Sequence, residues 1–309
     1  LSARVRQFVE VEPPKTLKDV MRLMPMGLDF LRFLPRKLKC APCQEIVYRG
    51  DEVDLSLLPV LTCWPQDGGP FVTLPVVITR SLLTGRRNAG MYRLQVFDRY
   101  TTGMHWHIHK DGSHYFHEYR KARKRMPVAV AIGTDPAVTY AATAPLPRGV
   151  DEMMLAGFIR RKPVPMVRCL TVDLEVPAEA EIVLEGEIYP DRPVEEGPVS
   201  EFHGFYMNYG PGQAVRVKSA YHRRDAVFQT IAPGFVSEHC LLGGEAIGAT
   251  TCRALKKVMP HVGQVLVTEG GMGRLHAVIT IHEPGPGEAK RAIMLAMGHT
   301  NLLKWVVVV

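Results

Sequence analysis

The sequence predicts a mixed α/β protein, because strand-like segments fill its middle and helix and strand patterns alternate in its last part. Of the 309 residues, 46% are apolar and 22% are charged, which is typical of a globular protein. Between residues 44 and 225, β-branched runs bounded by Gly and Pro recur at the spacing of an all-β barrel or sandwich. We therefore expect a helical region over 1–40, a β-rich domain over 41–235 and an α/β segment over 236–309.

The element predictions follow the chain in order. Residues 1–40 carry a helical pattern that is broken at Pro13-Pro14. Strands are predicted at 75–80, 91–98, 127–133, 167–176, 181–189 and 213–223, and helices near 113–125 and 151–161. The last region is predicted as a helix at 244–258, a strand at 275–282, a helix at 288–297 and an apolar final strand. Such a strand normally needs a following turn and a partner, so we expect a further C-terminal domain.

Charge and cysteine content narrow the function classes. The net charge is +7, with a basic run at 120–125 that no aromatic residues interleave, so nucleic-acid binding is disfavoured. The charge suits attraction of an anionic substrate or peripheral association with an anionic lipid surface. Six cysteines in a chain of this length fit a reducing compartment, and we predict a cytoplasmic protein. Cys40 and Cys43 form a CxxC without a second pair, which favours packing over a zinc site.

The segment GMHWHIHKDG places histidines at positions 105, 107 and 109. In a strand, side chains two residues apart share one face, so His105, His107 and His109 would point the same way. One hypothesis is a hydrolytic zinc site built on all three rings. For each histidine taken singly, a hydrogen-bonded role in the core is favoured.

Four further positions have side chains that could carry chemistry. Arg93, expected two residues into a strand that follows a turn at Asn88, could clamp a carboxylate or form an internal salt bridge. Glu196 and Glu201 bracket a Gly-Pro turn, so an arginine nearby could keep one ionised while burial protonates the other. A solvated acidic loop is the alternative. Glu152 opens a helix, where it could interact with the helix dipole or bind a metal.

Taken together and in this order, the motifs resemble those of the UbiD family of decarboxylases, which depend on prenylated FMN. The long stretch APCQEIVYRGDEVDLSLLPVLTCWPQDGGPFVTLPVVITR and the segments NAGMYRLQ, MHWHIHKDG, PLPRGVDE, DLEVPAEAEIVLEGEI and EEGPVSEFHGFY carry the resemblance. It runs from about residue 10 to the end of the chain. It implies a flavin-reductase-like split β-barrel for cofactor binding over 41–235. It also implies a homo-oligomer, a dimer or a hexamer, with contacts from a C-terminal domain beyond 309.

The resemblance also implies roles for individual residues. Asn88, His109 and Glu152 would hold a divalent ion, Mn²⁺ or Mg²⁺, that clamps the cofactor phosphate, with K⁺ as an additional ion. Arg93, Glu196 and Glu201 would form the catalytic network. The implied cofactor-binding residues are Asn88, Met91, Arg93, Ile108, His109 and Lys290. His105 and His107 do not match ligand positions and would be pocket or packing residues.

The implied reaction is the reversible non-oxidative decarboxylation of an aromatic or α,β-unsaturated acid. A hydroxybenzoate or hydroxynaphthoate precursor of ubiquinone or menaquinone is the expected substrate class, and a prenyl-flavin synthase is the expected source of the cofactor. Arg93 would orient the substrate carboxylate, Glu201 would donate the replacing proton and Glu196 would hold Arg93. The alternatives are the zinc hydrolase and a flavin-binding module without turnover.

Overall fold

The structure is a computed structural model that describes residues 31–107, 110–144, 146, 150–234, 237–300 and 302–309. Most of the predicted helical region therefore lies outside the described residues. At its end the helical prediction is wrong, because Arg36–Leu38 forms a strand. By chain contacts the protein divides into two compact units. The described residues of the first unit fall within 31–62, 68–197 and 209–230, and those of the second unit fall within 63–67, 198–208 and 231–309.

The elements of the first unit are mostly strands. Its strands are β1 (Arg36–Leu38), β2 (Ile46–Arg49), β3 (Phe71–Val72), β4 (Val76–Arg80), β5 (Arg87–Met91), β6 (Leu94–Val96), β7 (Thr101–Met104), β8 (Met126–Ile132), β9 (Pro165–Arg168), β10 (Glu175–Pro177), β11 (Ile182–Glu196) and β14 (Gly210–His222). Its helices are α1 (Asp111–Lys121), α2 (Pro136–Ala141) and α3 (Glu152–Arg160), with short 3-10 turns at Pro42–Gln44, Gly50–Glu52 and Leu55–Leu57.

A nine-stranded antiparallel sheet forms the core of this unit. Its strand order is β3-β6-β7-β14-β11-β8-β4-β5, and β2 also pairs with β14. Register shifts in the long strand β11, after Glu185 and after Ile188, bend the sheet. The described strands thus form a curled half-barrel with β3 and β5 at its ends. Strands β1, β9 and β10 form a separate three-stranded sheet. The predicted single strand 167–176 is instead a hairpin in which β9 and β10 pair antiparallel.

Both faces of the curled sheet are buried. In β8, Ala129 and Ala131 belong to one apolar core, whereas Val128 and Val130 belong to the other. Residues of α2 and α3 complete the first core, and residues of α1, including Phe116, complete the second. Burial on both faces explains why these strands have nearly continuous apolar sequences rather than alternating ones.

The predicted strand 91–98 is interrupted at the point that matters most for the site. β5 ends at Met91 and β6 begins at Leu94, so Arg93 lies in the gap between two strands. The Tyr92 ring folds back over Gly90, where an added Cβ would come within 2.5 Å of it. Its hydroxyl accepts a hydrogen bond from the Gly112 amide of α1 at 3.0 Å. This packing breaks the strand.

The second unit has an α/β architecture. It contains β12 (Val199–Ser200), β13 (Tyr206–Met207), α4 (Ser237–Val258), β15 (Val262–Val267), β16 (His276–Ile281), α5 (Glu288–His299) and β17 (Trp305–Val308). β16 pairs antiparallel with β15 and parallel with β17. The sequence predicted both helices and the last two strands but missed β15. Among the described helices, none has both the length and the apolar character needed to cross a bilayer.

Candidate active site

The site is built around a buried ion pair between Arg93 and Glu196. Arg93 projects from the gap between β5 and β6, and Glu196 is the last residue of β11. The Arg93 Nε lies 2.7 Å from Glu196 Oε1, and the Glu196 side chain is completely buried. A carboxylate that is removed from water is stable only when a cation or donors compensate it. The structure therefore brings together two of the three residues predicted to form the catalytic network.

His105 is a further neighbour of this carboxylate. Its Nδ1 lies 3.2 Å from Glu196 Oε2, within ion-pair distance, although the contact is not aligned as a regular hydrogen bond. The Tyr209 ring packs between the two basic groups, with the His105 ring at 4.8 Å and the Arg93 guanidinium at 4.8 Å from its centre. Nothing in the sequence pattern indicated the contact between His105 and Glu196.

The electrostatics of Glu196 favour its charged form. Burial alone would raise the pKa of this carboxyl group. The contact with His105 and the charge and hydrogen bond of Arg93 outweigh burial, so the pKa lies below its ordinary value. Glu196 is therefore an anion that holds Arg93 in place.

The histidine segment does not form the predicted strand in its described part. β7 ends at Met104, and residues 105–107 have no regular structure. The rings of His105 and His107 meet edge to face at 5.3 Å instead of lying side by side on one face. His109 and Ile108 lie outside the described residues. Within the described ranges, no cluster of three or more His, Cys, Asp or Glu side chains could hold a metal.

Asn88, which is buried, and Glu152, which is half-buried, make up a second polar group in the same unit. Asn88 lies within β5, not in the predicted turn, and its amide nitrogen donates to Thr79 Oγ1 at 3.3 Å. Glu152 is the first residue of α3, as predicted, and Asp151 caps that helix by accepting from the Met153 amide. A Glu152 carboxylate oxygen accepts a hydrogen bond from the Ala89 amide at 3.0 Å, and Ala89 directly follows Asn88 in β5.

Glu152 has the opposite electrostatic character to Glu196. Burial raises its pKa to about 7, despite hydrogen bonds from its own amide and that of Ala89. The charges of Asp151 and Asp111 raise it further. A cation bound here would relieve this repulsion, and carboxylate and amide oxygens are suitable ligands for Mn²⁺ or Mg²⁺. The donor set of Asn88 and Glu152 thus fits a hard divalent ion.

The remaining predicted residues occupy different places. Met91 ends β5, and its carbonyl accepts from Lys110 Nζ at 3.1 Å. Glu201 belongs to the second unit, where its amide donates to the Phe205 carbonyl and its charge acts on the buried guanidinium of Arg274. Lys290 is exposed in the first turn of α5, also in the second unit.

Comparison with protein families gives two matches that together span most of the chain. Residues 36–235 match the 3-octaprenyl-4-hydroxybenzoate carboxy-lyase Rift-related domain, UbiD. Residues 240–309 match the C-terminal domain of the same carboxy-lyases, UbiD_C.

Two curated relatives are similar over nearly the whole chain. An uncharacterized protein of Archaeoglobus fulgidus is 41% identical over 301 residues, which are 96% of this chain and 61% of that protein. An uncharacterized protein of Aquifex aeolicus is 35% identical over 308 residues, 99% of this chain and 63% of that protein. The chain therefore spans about three-fifths of the length of these relatives.

Solved structures give the same result. The UbiD-class enzyme HmfF from Pelotomaculum thermopropionicum, in an evolved dimeric form with prFMN, is 37% identical with a TM-score of 0.83; the match covers 93% of this chain and 67% of HmfF. The 3,4-dihydroxybenzoic acid decarboxylase AroY of Klebsiella pneumoniae is 26% identical with a TM-score of 0.81, covering 94% and 64%. The vanillic acid decarboxylase of Sedimentibacter hydroxybenzoicus is 28% identical with a TM-score of 0.76, covering 95% and 64%.

Proposed function

The chain belongs to the UbiD family of carboxy-lyases, and from that premise we propose that it performs the non-oxidative decarboxylation of an aromatic or α,β-unsaturated acid with prenylated FMN. The observation that supports this most directly is the buried pair of Arg93 and Glu196. A fixed guanidinium fork suits a substrate carboxylate, which it can bind in a bidentate manner.

The polar group of Asn88 and Glu152 supports the proposed cofactor site. We assign Asn88, Glu152 and His109 to a Mn²⁺ or Mg²⁺ ion that holds the cofactor phosphate; a potassium ion belongs to the same proposal. Met91, Ile108 and Lys290 are proposed as further cofactor contacts. When bound, the prenylated flavin supplies the electron sink that the loss of CO₂ requires.

The chain's own residues then have three tasks. Arg93 binds and orients the substrate carboxylate and keeps water from it. Glu196 fixes Arg93 through its Oε1 atom and remains ionised while doing so. Glu201 donates the proton that replaces CO₂ at the reacting carbon.

The names of the similar enzymes narrow the class of substrate that we propose. HmfF binds prFMN, and AroY and the vanillic acid decarboxylase are named for dihydroxybenzoic and vanillic acids. We propose a hydroxylated aromatic acid for this chain, with hydroxybenzoate or hydroxynaphthoate quinone precursors as the first compounds to test. A cytoplasmic homo-oligomer that receives its cofactor from a prenyl-flavin synthase completes the proposal.

The test is co-expression of the full-length protein with a prenyl-flavin synthase, followed by a screen of hydroxybenzoates and naphthoates for CO₂ release. We expect release from at least one acid, flavin-like absorbance and stoichiometric manganese. Glu201→Gln should lower turnover by about a hundredfold while the bound flavin absorbance stays unchanged. Glu195→Gln, at an exposed neighbour of Glu196, is the matched control and should behave as wild type.

Other outcomes identify the alternatives. Bound flavin without CO₂ release from any acid would favour a binding module. Stoichiometric zinc without a chromophore would favour the hydrolase. Full turnover and full hydrogen–deuterium exchange in Glu201→Gln would remove Glu201 from the role of proton donor.

A further inference from the structure

A carboxylate held by one contact does not have a fixed orientation. The last torsion of a glutamate side chain is broad and roughly twofold, so one hydrogen bond leaves the carboxylate plane free to rotate. Arg93 reaches Oε1 of Glu196 through Nε, the inner nitrogen of its fork. The plane of the Glu196 carboxylate, on which the Nε of Arg93 rests, therefore depends on what holds Oε2.

Oε2 of Glu196 is fully buried, and in the described part of the chain no well-aligned donor reaches it. The nearest basic atom is His105 Nδ1 at 3.2 Å. A buried carboxylate oxygen without a donor is costly, so this atom needs the proton that Nδ1 can carry. Contacts of this kind are often misaligned before a ligand binds and improve in the complex.

The surroundings of His105 leave its ring little freedom. Glu196 faces it from the end of β11, Tyr209 packs on it from the chain before β14, and His107 meets its edge at 5.3 Å. Arg93 lies on the same Tyr209 ring and on the same carboxylate. Of these groups, only Glu196 is an anion placed to select one imidazole nitrogen as the donor.

We propose that His105 is a positioning residue of this site: its Nδ1–H holds Oε2 of Glu196 and so fixes the plane in which Arg93 meets the substrate carboxylate. The inference rests on the proposed decarboxylation for its catalytic consequence. Its structural content, the choice of the Nδ1–H form by Glu196, does not depend on that reaction.

Three substitutions at His105 distinguish the contribution of its N–H donor from the contribution of its ring. His105→Asn keeps an amide N–H near the position of Nδ1, whereas His105→Gln places its N–H near the position of Nε2. His105→Phe keeps a ring against Tyr209 and His107 but has no donor. In the cofactor-loaded full-length protein, we expect Phe and Gln to lower kcat/KM roughly tenfold or more, chiefly through KM. Asn should retain kcat/KM within about threefold, because it restores the donor.

A result in which Phe retains the wild-type kcat/KM and Asn does not would overturn the proposal, because the ring would then be the important feature. Equal activity of all three variants and wild type would overturn it as well.

A second readout does not use turnover. The ¹⁵N shifts of His105 in the purified protein, assigned by the signal lost in His105→Asn, report which ring nitrogen carries a proton. We expect protonation at Nδ1; a ring protonated only at Nε2 contradicts the inference. Protonated Nδ1 in a protein that decarboxylates no acid would refute the proposed function alone.

Discussion

Glu196, which is buried, and Glu152, which is half-buried, show two different solutions to the same problem within the first unit. Glu196 lies against Arg93 and His105, and its pKa is lowered. Glu152 lies against backbone amides and two negative neighbours, and its pKa is raised to about 7. The protein thus supplies the positive charge for the first carboxylate itself. For the second, the charged groups that shift its pKa, Asp151 and Asp111, are both negative.

The difference suits the two groups to different functions. A carboxylate neutralised within the fold can hold an arginine at a constant angle for a substrate. A carboxylate left with a raised pKa binds a metal at the expense of a proton, so its metal affinity depends on pH. We propose that the first group is the substrate site and the second the cofactor anchor.

The largest effect should come from breaking the Arg93–Glu196 pair. Arg93→Met leaves the fully buried Glu196 carboxylate with His105 as its basic neighbour among the described residues, and loss of one partner of a buried pair typically costs about 3–5 kcal/mol. We expect a loss near the lower end of that range in the unfolding free energy, measured with denaturant and circular dichroism. Arg120→Met, on the exposed end of α1, is the control and should change stability by less than about 0.5 kcal/mol. Equal losses in both variants would show that Glu196 does not depend on Arg93.

An intermediate effect is expected at Glu152, and it has a sign that depends on pH. Because the folded protein holds this proton more tightly than the unfolded chain, the metal-free protein should lose stability as the pH rises from about 4.5 to about 7. The loss should be on the order of 3 kcal/mol. Glu152→Gln should abolish it and stabilise the metal-free protein at pH 8.

Stabilisation by manganese is a second test of the role of Glu152. At pH 8, Mn²⁺ at a hundredfold excess over its dissociation constant should stabilise the wild type by about 2.7 kcal/mol and Glu152→Gln by much less. Thermal melts with and without Mn²⁺, with Glu195→Gln as the control, measure this difference. A wild-type protein that Mn²⁺ does not stabilise would exclude Glu152 as a metal ligand.

Much of this fold could be predicted from local sequence. β8 and α3 were found because apolar periodicity and helix caps are properties of neighbouring residues. The pairing of Arg93 with Glu196 could be expected from charge and from the family motifs. Each of these predictions uses a pattern that is contained in a short stretch of sequence.

The features that sequence did not predict depend on distant contacts. Tyr92 satisfies a strand pattern, yet the strand breaks because its hydroxyl bonds to Gly112, twenty residues away in the chain. His105 lies in an alternating histidine pattern that suggests a strand, but it follows the end of β7, and its partner Glu196 is the last residue of β11. Neither contact can be inferred from the residues that flank Tyr92 or His105 in the sequence.

The smallest expected effect tests whether the two glutamate sites are independent. The Tyr92 hydroxyl accepts from the Gly112 amide and contacts Asn88, and burial raises its pKa to about 12. Tyr92→Phe leaves the Gly112 amide unpaired and should cost about 1–2 kcal/mol. Tyr140→Phe, at an exposed tyrosine of α2, is the matched control and should be neutral.

The same variant distinguishes the sites by what it leaves unchanged. Because Tyr92 contacts Asn88, Tyr92→Phe should weaken Mn²⁺ binding, measured by calorimetry, by a few fold. The Nδ1–H signal of His105 should be retained, because our proposal assigns that proton to the contact with Glu196 and not to Asn88 or Glu152. Loss of both properties together would mean that the break at Tyr92 couples the two carboxylates, and the distinction between a substrate site and a separate anchor would fail.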